Sequence, residues 1–268
     1  MFLPEPWDEE LLSSWLTRAG KYYGRNVRNM SRACFGNIAI CHPQFPKHTR
    51  QFADILGWID TETLIAKHTF YPLVAPFAET ALRERLLDWL CGNPSGLSRV
   101  SAKMLQGTHL DTYRFCKECW QEQNATQKGD MGWIRTWQVP QCKLCPKHEL
   151  PLMNTTEPFR DRFGATRNID WTDVNFDQAY SLPVRVPQDF LMTHTADRLL
   201  NRPLTNLPEK EQWDSFWERK LDGWTDDDLS ETANRYWGKD YLERLGVDRV
   251  GRDFLKCFKL PKWNVFSL

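Results

Sequence analysis

The chain lacks a net charge: its 268 residues carry 35 Lys and Arg against 35 Asp and Glu. That balance excludes a uniformly basic nucleic-acid coat and an acidic disordered tail. No apolar run approaches the ~20 residues needed to span a bilayer. The opening residues, MFLPEPWDEE, have no basic start followed by an apolar stretch, which is the form of a secretory leader. These absences lead us to expect a soluble, cytoplasmic protein with no membrane partner. Catalytic signatures are missing as well. There is no Gly-x-x-x-x-Gly-Lys-Ser/Thr loop to cradle nucleotide phosphates, no Gly-x-Ser-x-Gly and no His-Glu-x-x-His. A zinc deaminase requires His-x-Glu and Pro-Cys-x-x-Cys. Here Leu110 and Asp111 follow His109, and Gln141 separates Pro140 from Cys142. The expectation is a protein that is not an enzyme, in preference to a metal-dependent hydrolase.

What is present is aromatic and helical. Aromatic residues make up 13% of the chain, with 13 Trp, enough to fill a sizeable core. Residues 8–22 have apolar positions at helical spacing (Leu11, Leu12, Trp15, Ala19, Tyr22), with Asp8 as candidate cap. Asn26 caps a second predicted helix, which Gly36 stops, so the pair reads as helix-turn-helix-like. Further helices are predicted at 48–57, 61–69, 78–91 and 98–106, and again at 187–201, 208–222, 226–237 and 239–245. Thr225 and Asp228 form a capping-box pattern. His68, among aromatics, reads as a core histidine, and Trp213, Trp217, Trp224 and Trp237 read as core residues. The predicted fold is mostly α. It has an N-terminal helix-turn-helix-like domain (1–110), a central zinc-finger or ribbon module with little strand (111–152), an irregular linker (153–182) and a C-terminal helical domain (183–268). The ending KLPKWNVFSL has no polar tail and reads as a cut inside a longer protein.

Eight cysteines fall into two classes. Cys34, Cys41, Cys91 and Cys257 are scattered and read as buried small hydrophobes. Cys116-x-x-Cys119 and Cys142-x-x-Cys145-x-x-His148 are spaced as metal knuckles. A tetrahedral Zn²⁺ takes four of these five donors, either Cys116, Cys119, Cys145 and His148, or Cys116, Cys119, Cys142 and Cys145. Four protein ligands leave no open coordination position, so such a zinc is structural. His42 and His48 lie near Cys34 and Cys41, at spacings too irregular for a second site.

Charge is uneven along the chain. From Leu11 to Ala53 there is no Asp or Glu, while Arg18, Lys21, Arg25, Arg28, Arg32, Lys47 and Arg50 lie in or beside the paired helices. This is the electrostatic footprint of a phosphate-binding surface, so these seven residues are the candidate DNA contacts. The compensating acids sit late, from Glu209 to Glu231, with Asp226, Asp227 and Asp228 reading as a solvated helix start.

The segments WDEELLSSWLTRAG, HTFYPLVAPF, FCKECW, WIRTWQVP and CPKHELPL together resemble the TniQ family. The likeness is greatest to its TnsD branch of transposon target-site selectors, and covers residues 1 to about 152. The resemblance implies a DNA transposition adaptor that selects an insertion site on double-stranded DNA and recruits an AAA+ ATPase regulator. It also implies an alternative: a scaffold that joins an RNA-guided CRISPR effector complex to the transposition machinery without reading DNA itself. It assigns the metal to Cys116, Cys119, Cys145 and His148, with Cys142 departing from the family pattern.

Overall fold

The computed structural model describes residues 3–36, 42, 44–93, 110–126, 130–158, 168–185 and 187–237, and no side chain at 210, 236 or 237. The N-terminal helices follow their apolar spacing. Helix α1 (Leu12–Tyr22) buries Leu12, Trp15, Leu16 and Ala19. Helix α2 (Val27–Phe35) is capped by Asn26, whose Oδ1 accepts from Asn29 N at 2.9 Å, and ends at Gly36 with φ of 65°. Helices α3 (Thr49–Leu56) and α4 (Thr61–His68) follow, the latter capped by Asp60. A separate apolar cluster joins these four helices through Leu12, Trp15, Leu16, Met30, Phe35, Phe52 and Leu64. Trp15 meets Phe52 edge-on at 5.2 Å.

The start of α1 differs from expectation. Asp8 does not cap it; the helix begins after Leu11. The preceding residues are drawn into backbone pairing instead: Glu10 bridges Ile134, Leu11 N donates to Trp133 O, and Glu9 has φ of 58°. Pairing with a distant segment overrides a local cap.

Beyond α4 come the short α5 (Tyr71–Val74), with Pro72 in its first turn, and α6 (Thr80–Cys91), closed by Gly92. Strand β1 (Thr112–Phe115) leads into α7 (Lys117–Ala125). Strands β2 (Met153–Pro158) and β3 (Tyr180–Ser181) complete an antiparallel sheet ordered β1-β2-β3, with Arg114 opposite Asn154 and Asn154 opposite Tyr180. Helices α8 (Gln188–Leu200), α9 (Lys210–Lys220) and α10 (Asp226–Trp237) end the described chain. The helices predicted at 98–106 and 239–245 lie outside the described residues, as do Cys41 and Cys257.

Residues 153–182, read from sequence as an irregular linker, supply two of the three strands and part of the main core. Trp171 stacks on Trp133 at 4.1 Å and 9°. Its segment carries no periodic pattern because a three-residue 3-10 turn places it, with Asp170 accepting from Thr172 N. The main core runs from Leu11 through Tyr113, Phe115, Trp133 and Trp137 to Leu200, and so unites residues on both sides of position 110.

Helix α9 is docked by Trp213, whose Nε1 donates to Pro76 O at 2.7 Å and whose ring stacks on Phe77. Arg83 pairs with Glu209 at 2.6 Å. Trp213 and Trp217 are only half-buried and Trp224 is exposed, so these Trp residues line a surface-docked helical segment and do not fill a separate core. Thr225 and Asp228 form the expected reciprocal cap: Thr225 N donates to Asp228 Oδ2 at 2.7 Å, and Asp228 N to Thr225 Oγ1 at 3.2 Å.

Candidate metal centre and nucleic-acid interface

Two local structures carry the candidate ligands. Strand β1 delivers Cys116 to the N-cap position of α7, which places Cys119 in the first helical turn on the same face. The second group sits in a tight hairpin. Leu144 bridges Pro151, Cys145 N donates to Leu150 O at 2.9 Å, and Glu149 N donates to Cys145 O at 2.7 Å. Glu149 takes the left-handed conformation that closes this turn, with φ of 56°. Cys145 and His148 therefore project from one knuckle.

The four donor atoms of Cys116, Cys119, Cys145 and His148 lie within 4.8 Å of one another. His148 Nδ1 is 3.4 Å from Cys116 Sγ, 3.3 Å from Cys119 Sγ and 3.7 Å from Cys145 Sγ, and Cys119 Sγ is 3.6 Å from Cys145 Sγ. A tetrahedral ion with bonds of ~2.3 Å to sulfur and ~2.1 Å to nitrogen requires edges of about 3.8 Å between sulfurs and 3.6 Å between sulfur and nitrogen. The donor set matches such an ion in number, softness and spacing. The three thiols share protons through mutual hydrogen bonds, which push Cys145 down and Cys116 and Cys119 up, so with no cation among them one thiolate is held by two thiols.

Cys142 stands outside this group. It is fully buried, and burial pushes its thiol pKa up. Its carbonyl accepts from Arg114 Nη1 at 3.0 Å. Among the described residues no second cluster forms. His42 Nδ1 lies 3.3 Å and 3.1 Å from the backbone N of Gln44 and Phe45, from which it accepts.

The seven basic candidates separate in space. Arg18 is almost wholly buried at 4% exposure, which removes it from any DNA-facing surface. Its Nε donates to Glu10 Oε1 at 2.8 Å and its Nη2 to Glu10 Oε2 at 2.7 Å. Ser14 Oγ donates to the same carboxylate at 2.7 Å and accepts from Trp133 N at 2.8 Å. Lys21 is bound to Asp170 at 3.0 Å and to Asp130 at 3.6 Å. Lys47 is half-buried, with its Nζ 3.5 Å over the Trp89 ring. Arg25, Arg28 and Arg32, at and along α2, and Arg50 on α3 are exposed, and no ion pair joins them to an acid among the described residues. Asn29 shares the exposed side of α2, while Met30, Ser31 and Phe35 face inward.

A family model described as TniQ matches residues 1–152, more than half of the chain. The chain belongs to the TniQ family. It is also 27% identical, over 269 aligned residues, to the transposon Tn7 transposition protein TnsD of Escherichia coli. That alignment covers 94% of this chain and 48% of the relative, so the chain spans about half the length of that relative. Both the four-donor cluster and the exposed arginines fall inside the TniQ match. No helix among the described residues is long and apolar enough to cross a membrane.

The TniQ region also holds a buried polar hub that the composition reading missed. Arg135 is 1% exposed. Its guanidinium donates to Ala66 O, to Thr69 O at 3.1 Å and to Leu200 O at 2.9 Å, and Glu9 lies 3.6 Å away. It thereby ties the end of α4 to the end of α8. A stripe signal existed for the neighbouring pair: Glu10, Ser14 and Arg18 are spaced four apart, on one line of α1 and its approach. Nothing local marks Arg135, whose carbonyl partners are 65 to 69 residues away and whose acid, Glu9, is farther still.

Proposed function

We propose that this TniQ-family chain is a target-selection adaptor of DNA transposition that binds double-stranded target DNA and recruits an AAA+ ATPase regulator. Zn²⁺ held by Cys116, Cys119, Cys145 and His148 acts structurally, fixing α7 and the 142–152 hairpin; with four protein donors it has no position for water and drives no reaction. The observation that carries the DNA-binding reading is the exposed arginine face: Arg25, Arg28, Arg32 and Arg50 point outward without acidic partners among the described residues. The similarity to TnsD supports the transposition context.

Within this proposal the DNA contacts are those four arginines, since Arg18 is buried on Glu10, Lys21 is paired with Asp170 and Asp130, and Lys47 lies over Trp89. Four neutralised phosphates give a log–log salt slope of about −3.6 for duplex binding. Replacing Arg25 and Arg28 together is expected to reduce the slope by about 1.8 and to weaken binding without unfolding. Gel-shift titration of the full chain against target duplex at several salt concentrations reads both. Salt-independent binding, or an unchanged slope in the double variant, would overturn the reading. Failure to bind duplex at all, with retention of a guide-RNA effector complex, would favour the scaffold alternative.

A further inference from the structure

Glu122 belongs neither to the donor set nor to any motif that the spacing singles out. It stands on α7 three residues beyond Cys119, so the two share one helix face. Its Oε1 is 3.2 Å from His148 Nε2, and its Oε2 is 2.5 Å from Lys147 Nζ. On the other side of the same imidazole, Nδ1 faces three sulfurs at 3.3 to 3.7 Å. A neutral imidazole that offers Nδ1 to a metal carries its proton on Nε2, and the partner of that proton fixes both tautomer and ring angle.

We propose that Glu122 is a positioning residue of the metal centre: its carboxylate accepts the Nε2–H of His148 and so holds Nδ1 toward the ion. Lys147 occupies the other carboxylate oxygen and sets the direction of the first. The arrangement is self-consistent across the hairpin. The residue preceding the ligand anchors the acid, and the acid orients the ligand. Glu122 and Lys147 are both exposed, so as an ordinary surface pair they would contribute little to folding. An effect of Glu122 on metal retention is therefore separable from an effect on stability.

This inference rests on the metal reading above, and the test separates the two. The full chain is first analysed for zinc content, then titrated with a chromophoric chelator in competition for Zn²⁺. Glu122→Ala is expected to weaken zinc binding 10- to 100-fold. Glu122→Gln, which keeps an oxygen acceptor, is expected to recover most of that loss. Proton–nitrogen NMR of the zinc-loaded chain should show a slowly exchanging His148 Nε2–H that exchanges faster in Glu122→Ala. Absence of stoichiometric zinc from the wild type overturns both the metal reading and this one. Zinc present with unchanged affinity in Glu122→Ala, or no protected Nε2–H in the wild type, overturns the role of Glu122 alone.

Discussion

Around Cys119, donors from two short segments converge on a volume the size of one ion; along α2 and α3, four arginines diverge toward solvent. Both arrangements use polar groups in the first 152 residues, and they differ in what completes them. The convergent site supplies all of its own soft donors, leaving only the ion itself to be added. The divergent face has positive charge with no internal counter-charge among the described residues, and under the proposed function DNA phosphates complete it. Arg18 and Arg28, ten residues apart, show the same contrast in one residue type. Arg18 meets a buried carboxylate with two hydrogen bonds, whereas Arg28 is exposed and meets no acid among the described residues. The role of a cation in this fold is decided by its partner.

The largest effect should come from emptying the convergent site. Structural zinc binding is worth ~10–16 kcal/mol in apparent terms, against a whole-domain stability of ~5–15 kcal/mol. Strong chelation, or Cys119→Ala, is expected to abolish the cooperative thermal transition of the region around α7 and the hairpin. Calorimetry with and without chelator checks this, and an unchanged transition would erase the distinction between the two regions.

Next in size is the contrast between the two arginines. Arg18→Ala leaves the Glu10 carboxylate buried and unpaired, a loss of ~3–5 kcal/mol. Arg28→Ala at an exposed position should stay within ~0.5 kcal/mol. Urea unfolding of both variants measures the difference, and equal values would contradict the burial of the Glu10–Arg18 pair.

A pH effect sharpens the same point about burial. His68 is pushed down to about 4, first by burial, while its Nδ1 lies 2.7 Å from Glu10 O. The folded state therefore keeps the ring neutral, with Nδ1–H donating. Its folded pKa is below the unfolded value of about 6.5, so the unfolded chain binds more protons between pH 6.5 and 4. The contribution is fully present above pH ~6.5 and is lost as pH falls toward 4, to a total of roughly 3 kcal/mol. His68→Asn, which retains an amide donor without titrating, should flatten stability across that window. Denaturation curves at pH 7 and pH 4.5 for both proteins read the effect.

The smallest of these effects is steric. A Cβ on Gly132 would stand 2.6 Å from Glu10 Cδ and 2.6 Å from Trp7 Cδ1. Gly132→Ala should cost ~1–3 kcal/mol as overpacking, and more if it displaces the Glu10 carboxylate from Arg18. Full additivity between Gly132→Ala and Arg18→Ala in a double-mutant cycle would show that the two do not share the network.

Legibility followed the range of the interaction. The N-cap at Asn26, the stop at Gly36 and the Thr225–Asp228 box are contacts within three or four residues, and each stands where the residue pattern put it. Asp8 failed as a cap because Glu10 and Leu11 are held by residues 133–134, a partner that no local window contains. Residues 153–182 looked structureless because their strands are short and their core anchor, Trp171, is placed by an aperiodic turn.

The residue order alone determined the helical periods, the caps, the two knuckles and the acid-free run, since each depends on side-chain type at close spacing. Spacing left open whether His148 or Cys142 joins the donor cluster; the family resemblance pointed to His148, and the tertiary structure brings His148 to the three sulfurs and buries Cys142 outside that set. It likewise enclosed Arg18 with Glu10, set Lys21 against Asp170, and left four arginines facing solvent. Proximity in space selects partners from across the chain, and local spacing does not encode which buried charge will be matched.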